Sequence, residues 1–252
     1  MNRRRALLGL TGFAVAGPAR AQSALELYAS GQFAKAAAAA RQQGGPDALA
    51  LAARALSAQT MLVGARAAPA PLVRDAEADA RAAVSAAPRH IEGRLQLATA
   101  IGLKARRAGP LAAYANGWGR QITDLLDAVL ADAPRQAWAF AMLGGWHLEA
   151  VRKGGPGPAR TLGATIARGR AAFQRAMALD PGQPVIPYYY AACLIEEDAA
   201  NAAEAATLVR RAVAGRPTDA FEREIAARAQ TLLAALEAGS VKAAQAEARR
   251  FL

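Results

Sequence analysis

The sequence predicts an all-α chain, a right-handed α-α superhelix built as a solenoid of about five helical hairpins. Three observations carry this. Ala-rich amphipathic stretches dominate the chain, and Ala has the highest intrinsic helix propensity. No segment has the alternating β-branched pattern of a strand. Five prolines, Pro46, Pro88, Pro134, Pro181 and Pro217, each close one helical stretch just before the next, at spacings of 42, 46, 47 and 36 residues. Self-similarity at this period marks stacked hairpins, each burying its apolar face against its neighbours.

Residues 1–21 stand apart from that pattern. Arg3, Arg4 and Arg5 precede an apolar stretch from Ala6 to Ala16, and Ala19-Arg20-Ala21 gives a small-x-small cleavage site. The stretch is far short of the ~20 residues that span a bilayer, so it reads as a signal peptide cut between Ala21 and Gln22. Arg4-Arg5 before apolar residues, with Gly9, Gly12 and Gly17 diluting the stretch, fits twin-arginine export. The expected location is the periplasm, and residues 22–252 are expected to form a single domain without a transmembrane helix.

Within that domain the breakers define helices near 23–30, 32–43, 47–63, 72–87, 89–106, 111–133, 135–152, 161–179, 186–198 and 200–215, with further helix over 217–250. Lys153 to Ala159, rich in Gly and Pro, is expected to be the loosest joint. The formal net charge of +11 permits an anionic partner. The arginines are nonetheless spread along helices and interleaved with acids, as in Glu222-Arg223-Glu224, and no RNA-binding aromatic signature accompanies them. No nucleic-acid partner is expected.

The segment from Gly169 to Pro181 carries the clearest repeat signature. Phe173, Ala176 and Met177 fall on one helical face, Gly169 and Ala176 let a neighbour approach, and Asp180-Pro181 ends the helix. This resembles the second helix of a tetratricopeptide repeat (TPR), with its small-x3-aromatic-x2-Ala-x4-Pro pattern. The matching first-helix pattern begins six residues after three prolines: Phe140, Leu143, Gly144 and His147; Arg94, Leu97, Ala98 and Ile101; Pro187, Tyr190, Ala191 and Leu194. The spacing exceeds the ~34 residues of a standard unit, so extra length is expected near 104–118 and 153–160. Over residues 89–237, Leu143-Gly144-Gly145-Trp146-His147 is similar to the Leu-Gly-Arg-Trp-His segment of the regulator of microtubule dynamics family, with Gly145 in place of the arginine. That resemblance implies a repeat domain with elongated second helices and an apolar groove.

Catalytic constellations are missing from the sequence. His90 and His147 stand far apart without metal-ligand spacing, and neither a Gly-x-Ser-x-Gly elbow nor a phosphate-cradling glycine loop occurs. His147 reads as a packed, hydrogen-bonded side chain. Cys193, the only cysteine, lies in an apolar run and reads as core. No enzyme, metal or cofactor is expected.

Binding is the expected function. The TPR resemblance implies that first helices line a concave groove. Carrying its groove positions onto this chain gives Glu92, Leu95 and Thr99; Trp138, Ala141 and Glu149; Tyr188, Ala192 and Glu196; and Phe221, Glu224 and Arg228. Aromatic anchors among acids point to a basic protein or peptide of the cell envelope. The alternative is a carrier or sensor of an apolar ligand such as a lipid, with Trp118, Trp146 and Tyr188-Tyr189-Tyr190 lining a pocket.

Overall fold

The computed structural model describes residues 23–252; the expected signal peptide and its cleavage point lie outside the described residues. Among them there are fourteen α-helices, one 3-10 turn and no strand. Six hairpins follow one another, one more than the sequence predicts. They are α1 (Ala24–Ala29) with α2 (Phe33–Gln43), α3 (Gly45–Val63) with α4 (Ala70–Ala86), and α5 (Ile91–Ala108) with α7 (Trp118–Asp132). Then come α8 (Ala137–Gly154) with α10 (Ile166–Leu179), α11 (Val185–Glu197) with α12 (Ala202–Val213), and α13 (Ala220–Glu237) with α14 (Val241–Phe251). Two short helices are inserted, α6 (Pro110–Ala115) and α9 (Pro156–Leu162).

The sixth hairpin arises because the run over 217–250 is cut at Gly239, whose φ of 67° favours glycine. The joint expected over Lys153–Ala159 is instead mostly helical. Gly155 turns the chain at φ 73°, Pro156 opens α9 in its first turn, where a missing N–H costs nothing, and Ala159 is buried. α6 and α9 supply the extra length expected near 104–118 and 153–160.

Helix ends follow local chemistry. Ser23 and Glu26 form a capping box on α1. Thr165 caps α10 and Asp219 caps α13, each accepting a backbone N–H three residues on. His90 caps α5 through Nδ1, while Nε2 contacts Asp47 at 2.8 Å.

Small residues bring the helices together. The interior is lined by fully buried alanines on successive helices, among them Ala36, Ala52, Ala76, Ala100 and Ala141, and large side chains gather at a few junctions. At the α8–α10 crossing, a Cβ on Gly169 would lie 3.1 Å from the Gly144 carbonyl oxygen, and one on Gly144 would lie 2.6 Å from the Phe173 ring. Phe173 is itself stacked on Tyr190 at 4.6 Å. Cys193 is buried in the same core, and burial pushes its thiol pKa up.

The last hairpin returns to the first two. Arg54 of α3 pairs with Asp219 at 3.3 Å and donates to the Tyr28 hydroxyl of α1. Arg223 donates to the Ala29 carbonyl, and Arg228 to the Leu62 carbonyl. The array therefore closes on itself instead of ending as an open coil.

Gly144→Ala tests the helix crossing. Alanine gains about 1 kcal/mol in helix propensity, but overpacking against Phe173 costs about 1–3 kcal/mol. The expected outcome is net destabilisation, read as a lower urea midpoint with an unchanged slope; a higher midpoint would contradict the crossing.

Candidate functional site

Closure leaves a cavity of about 600 Å³ on the concave side. Its walls come from first helices: Ala58 and Met61 of α3, Leu95, Thr99 and Leu103 of α5, Trp138, Met142 and Trp146 of α8. Phe221 and Phe251 close one side, and Leu111 and Tyr114 of α6 with Leu162 of α9 another. The exposed residues of the lining are Arg66, Pro110, Leu111, Tyr114 and Gly117. The mouth therefore lies where α3 ends and α6 begins. Gln96, on the wall, donates its amide to Glu92 at 3.0 Å, while its carbonyl oxygen is buried without a protein partner.

One end of the cavity is an ion cluster where α5, α8, α11 and α14 meet. Arg106 donates to Glu149 and, at 2.9 Å, to the Tyr189 hydroxyl, which in turn donates to Glu149 at 3.3 Å. Lys153 also donates to Glu149, and Arg106 reaches the Phe251 carbonyl at 3.4 Å. Burial pushes the Glu149 carboxyl up, but the charges and hydrogen bonds of Arg106 and Lys153 outweigh it and hold the pKa at about 2. Burial raises the Tyr189 phenol well above its ordinary value, so it stays protonated as a donor. A Cβ on Gly145 would sit 1.8 Å from the Tyr189 oxygen. No side chain fits at position 145, because Tyr189 occupies that space.

α14 lies against α11. Phe251 meets Tyr188 and Tyr189 edge-on at 5.2 and 5.6 Å, Gln245 donates to the Ile195 carbonyl, and Arg249 contacts Glu196 at 3.2 Å. The groove section that α11 would offer is thus filled by the chain's own helix.

Of the expected groove residues, the structure brings Glu92, Leu95, Thr99, Trp138, Glu149 and Phe221 to the cavity. Ala141, Tyr188 and Ala192 are buried in the core. Glu196 sits between Arg152 and Arg249. Arg228 joins α13 to α3 and lies 3.5 Å from Glu224. A one-residue slip explains Tyr188. α5 and α8 begin three residues after their prolines, whereas α11 begins four after Pro181. One residue rotates a helix face by about 100°, so Tyr189 takes the inward place. The contribution of α3 has a related cause: Pro46 lies inside that helix, not in the turn before it, so the phase does not transfer. Trp146 and Tyr189 line the cavity, while Trp118 packs under Lys104 with its ammonium 4.9 Å from the ring. His147 is half-buried and accepts from the Thr165 N–H at 3.4 Å; burial and Arg168 lower its pKa.

Among the described residues no group of three or more His, Cys, Asp or Glu is placed to hold a metal ion, and no helix is long and apolar enough to cross a membrane.

The fold is that of a TPR solenoid. The chain is similar to a thermophilic TPR protein of Thermus thermophilus, with a TM-score of 0.60 and 21% identity over 82% of this chain and 95% of that one. No protein-family model and no curated protein sequence matches the chain.

Glu149 makes stability pH-dependent. Its folded pKa of about 2 lies below the ~4.3 of an unfolded Glu. The stabilisation is complete above about pH 5 and is lost as pH falls toward 2. Glu149→Gln leaves Arg106 and Lys153 without their carboxylate and is expected to cost about 3 kcal/mol at neutral pH. Urea melts should give a shallower loss between pH 5 and 2 for the variant; parallel pH profiles would exclude the assignment.

Proposed function

We propose that this chain is a non-catalytic binding protein that holds a small apolar ligand, of the size of a lipid acyl chain, in the cavity of its closed solenoid. One observation carries the reading: a concave face whose accessible wall is mostly apolar, built on Leu, Met, Trp and Phe side chains. Small-ligand pockets have this character and occupy about 300–1,000 Å³. The charged groups at the cavity end are compensated by one another, which suits a ligand with an uncharged body. The N-terminal segment read as a twin-arginine signal supports a periplasmic setting for this role.

A second reading, a protein or peptide adaptor, draws on the seating of α14. An amphipathic helix already lies on the concave face of α11, so a partner's helix with an aromatic residue in the place of Phe251 has a template there.

Gly102 gives the test. It lines the cavity, and a Cβ on it would meet only Ile122, at 4.0 Å. Gly102→Phe therefore has room at its Cβ and should fold while placing a ring in the cavity. Native mass spectrometry with organic extraction should find a co-purified apolar ligand on the parent, and a fluorescent fatty acid should bind it. The variant should lose both. Equal fatty-acid binding by the two proteins removes the cavity reading, and helical-peptide capture by the parent with no small ligand moves the balance to the adaptor.

A further inference from the structure

In a stack of hairpins every first helix points the same way, so the turns from first to second helix share one rim. On this rim the chain is depleted of acid. Residues 48–74, 93–123 and 150–179, which contain the turns of the second, third and fourth hairpins, hold no Asp or Glu. The opposite rim carries Asp47, Asp132, Asp180 and Asp219. Cations collect along the acid-depleted rim: Arg66, Arg106, Arg107, Arg120, Arg152, Lys153, Arg160 and Arg168, of which Arg106 and Lys153 pair with Glu149 and Arg152 with Glu196. Five of them, Arg66, Arg107, Arg120, Arg160 and Arg168, enter no ion pair among the described residues; Arg66, Arg107 and Arg168 donate to backbone carbonyls. The basic stretch ends at Glu196, Glu197 and Asp198 of the fifth hairpin.

Helix electrostatics accounts for part of this pattern only. Cations in the last turns of α5, α8 and α9 complement the negative ends of the helix dipoles. Arg120 and Arg168 lie in the first turns of α7 and α10, where the dipole favours acids instead. On the same rim stands α6, which has no buried residue. Leu111 is 83% exposed and Tyr114 50% exposed, and both border the cavity mouth. An aliphatic and an aromatic side chain displayed among unpaired arginines is the arrangement that enters the headgroup layer of an anionic bilayer.

We propose that this rim is a docking site for an anionic lipid surface, with Leu111 and Tyr114 of α6 inserted and the flanking arginines on the headgroups. The purpose of docking, passage of the apolar ligand between bilayer and cavity, rests on the reading proposed above; the docking itself rests on charge and exposure. Docked this way, the mouth faces the membrane and the ligand crosses no bulk water.

Flotation with vesicles tests it, using phosphatidylcholine alone or enriched in phosphatidylglycerol. The protein should float with the anionic vesicles and not the neutral ones, and added salt should release it. Arg120→Glu with Arg160→Glu lies outside the cavity wall. This pair should lower vesicle partition at least about tenfold while fatty-acid binding in vesicle-free buffer stays at the parent level. Leu111→Ser with Tyr114→Ser, both exposed, should lower partition about tenfold or more with an unchanged helical spectrum. Failure of the parent to bind anionic vesicles, or binding unaffected by both pairs, overturns the docking site. Vesicle binding by a parent that takes up no fatty acid keeps the docking site and rejects the cavity function instead.

Discussion

The meeting of four helices around Arg106, Glu149, Tyr189 and Phe251 is the constraint on which the concave face depends. α5 sends Arg106 into it, α8 sends Glu149 and Lys153, α11 sends Tyr189, and α14 sends a ring and a carbonyl. Ions this far from water are costly unless each is paired. Arg106 can be satisfied only with Glu149, Tyr189 and the end of α14 all in place. The cluster therefore sets where the terminal helix lies, and the terminal helix sets how much of the groove stays open.

Alanine determines what kind of space is left. Helices whose facing surfaces are methyl groups approach closely and leave little between them. The volume that remains lies where the first helices diverge around the concave side, and the few large side chains stand at its edge. Leu95, Met142 and Trp146 can line a cavity because Ala100 and Ala141 behind them hold the walls together.

The helical class and the hairpin repeat were legible because Ala content, proline spacing and three- and four-residue apolar spacing all point to one architecture. Groove positions on α5 and α8, Ala141 excepted, were legible as well, since Pro88 and Pro134 stand at a constant distance from the helix they precede. The same rule misplaced the face of α11 by one residue, because no local feature reports where a helix resumes after Asp180-Pro181-Gly182-Gln183-Pro184. Helix α9 was hidden by its composition: Gly155 and Pro156 read as loop, yet they are also the residues that turn a chain and open a helix. Closure was not legible. It depends on contacts such as Arg54 with Asp219, 165 residues apart, and nothing local encodes them.

An open repeat array gains stability from nearest neighbours, so its end units fray and its middle can unfold separately. Arg54, Arg223 and Arg228 remove that freedom by tying the last hairpin to the first two. Opening the seam exposes both ends at once, and each end then loses a neighbour. A ring of six hairpins without a free edge melts as one cooperative unit, and its terminal helices share the protection of its centre.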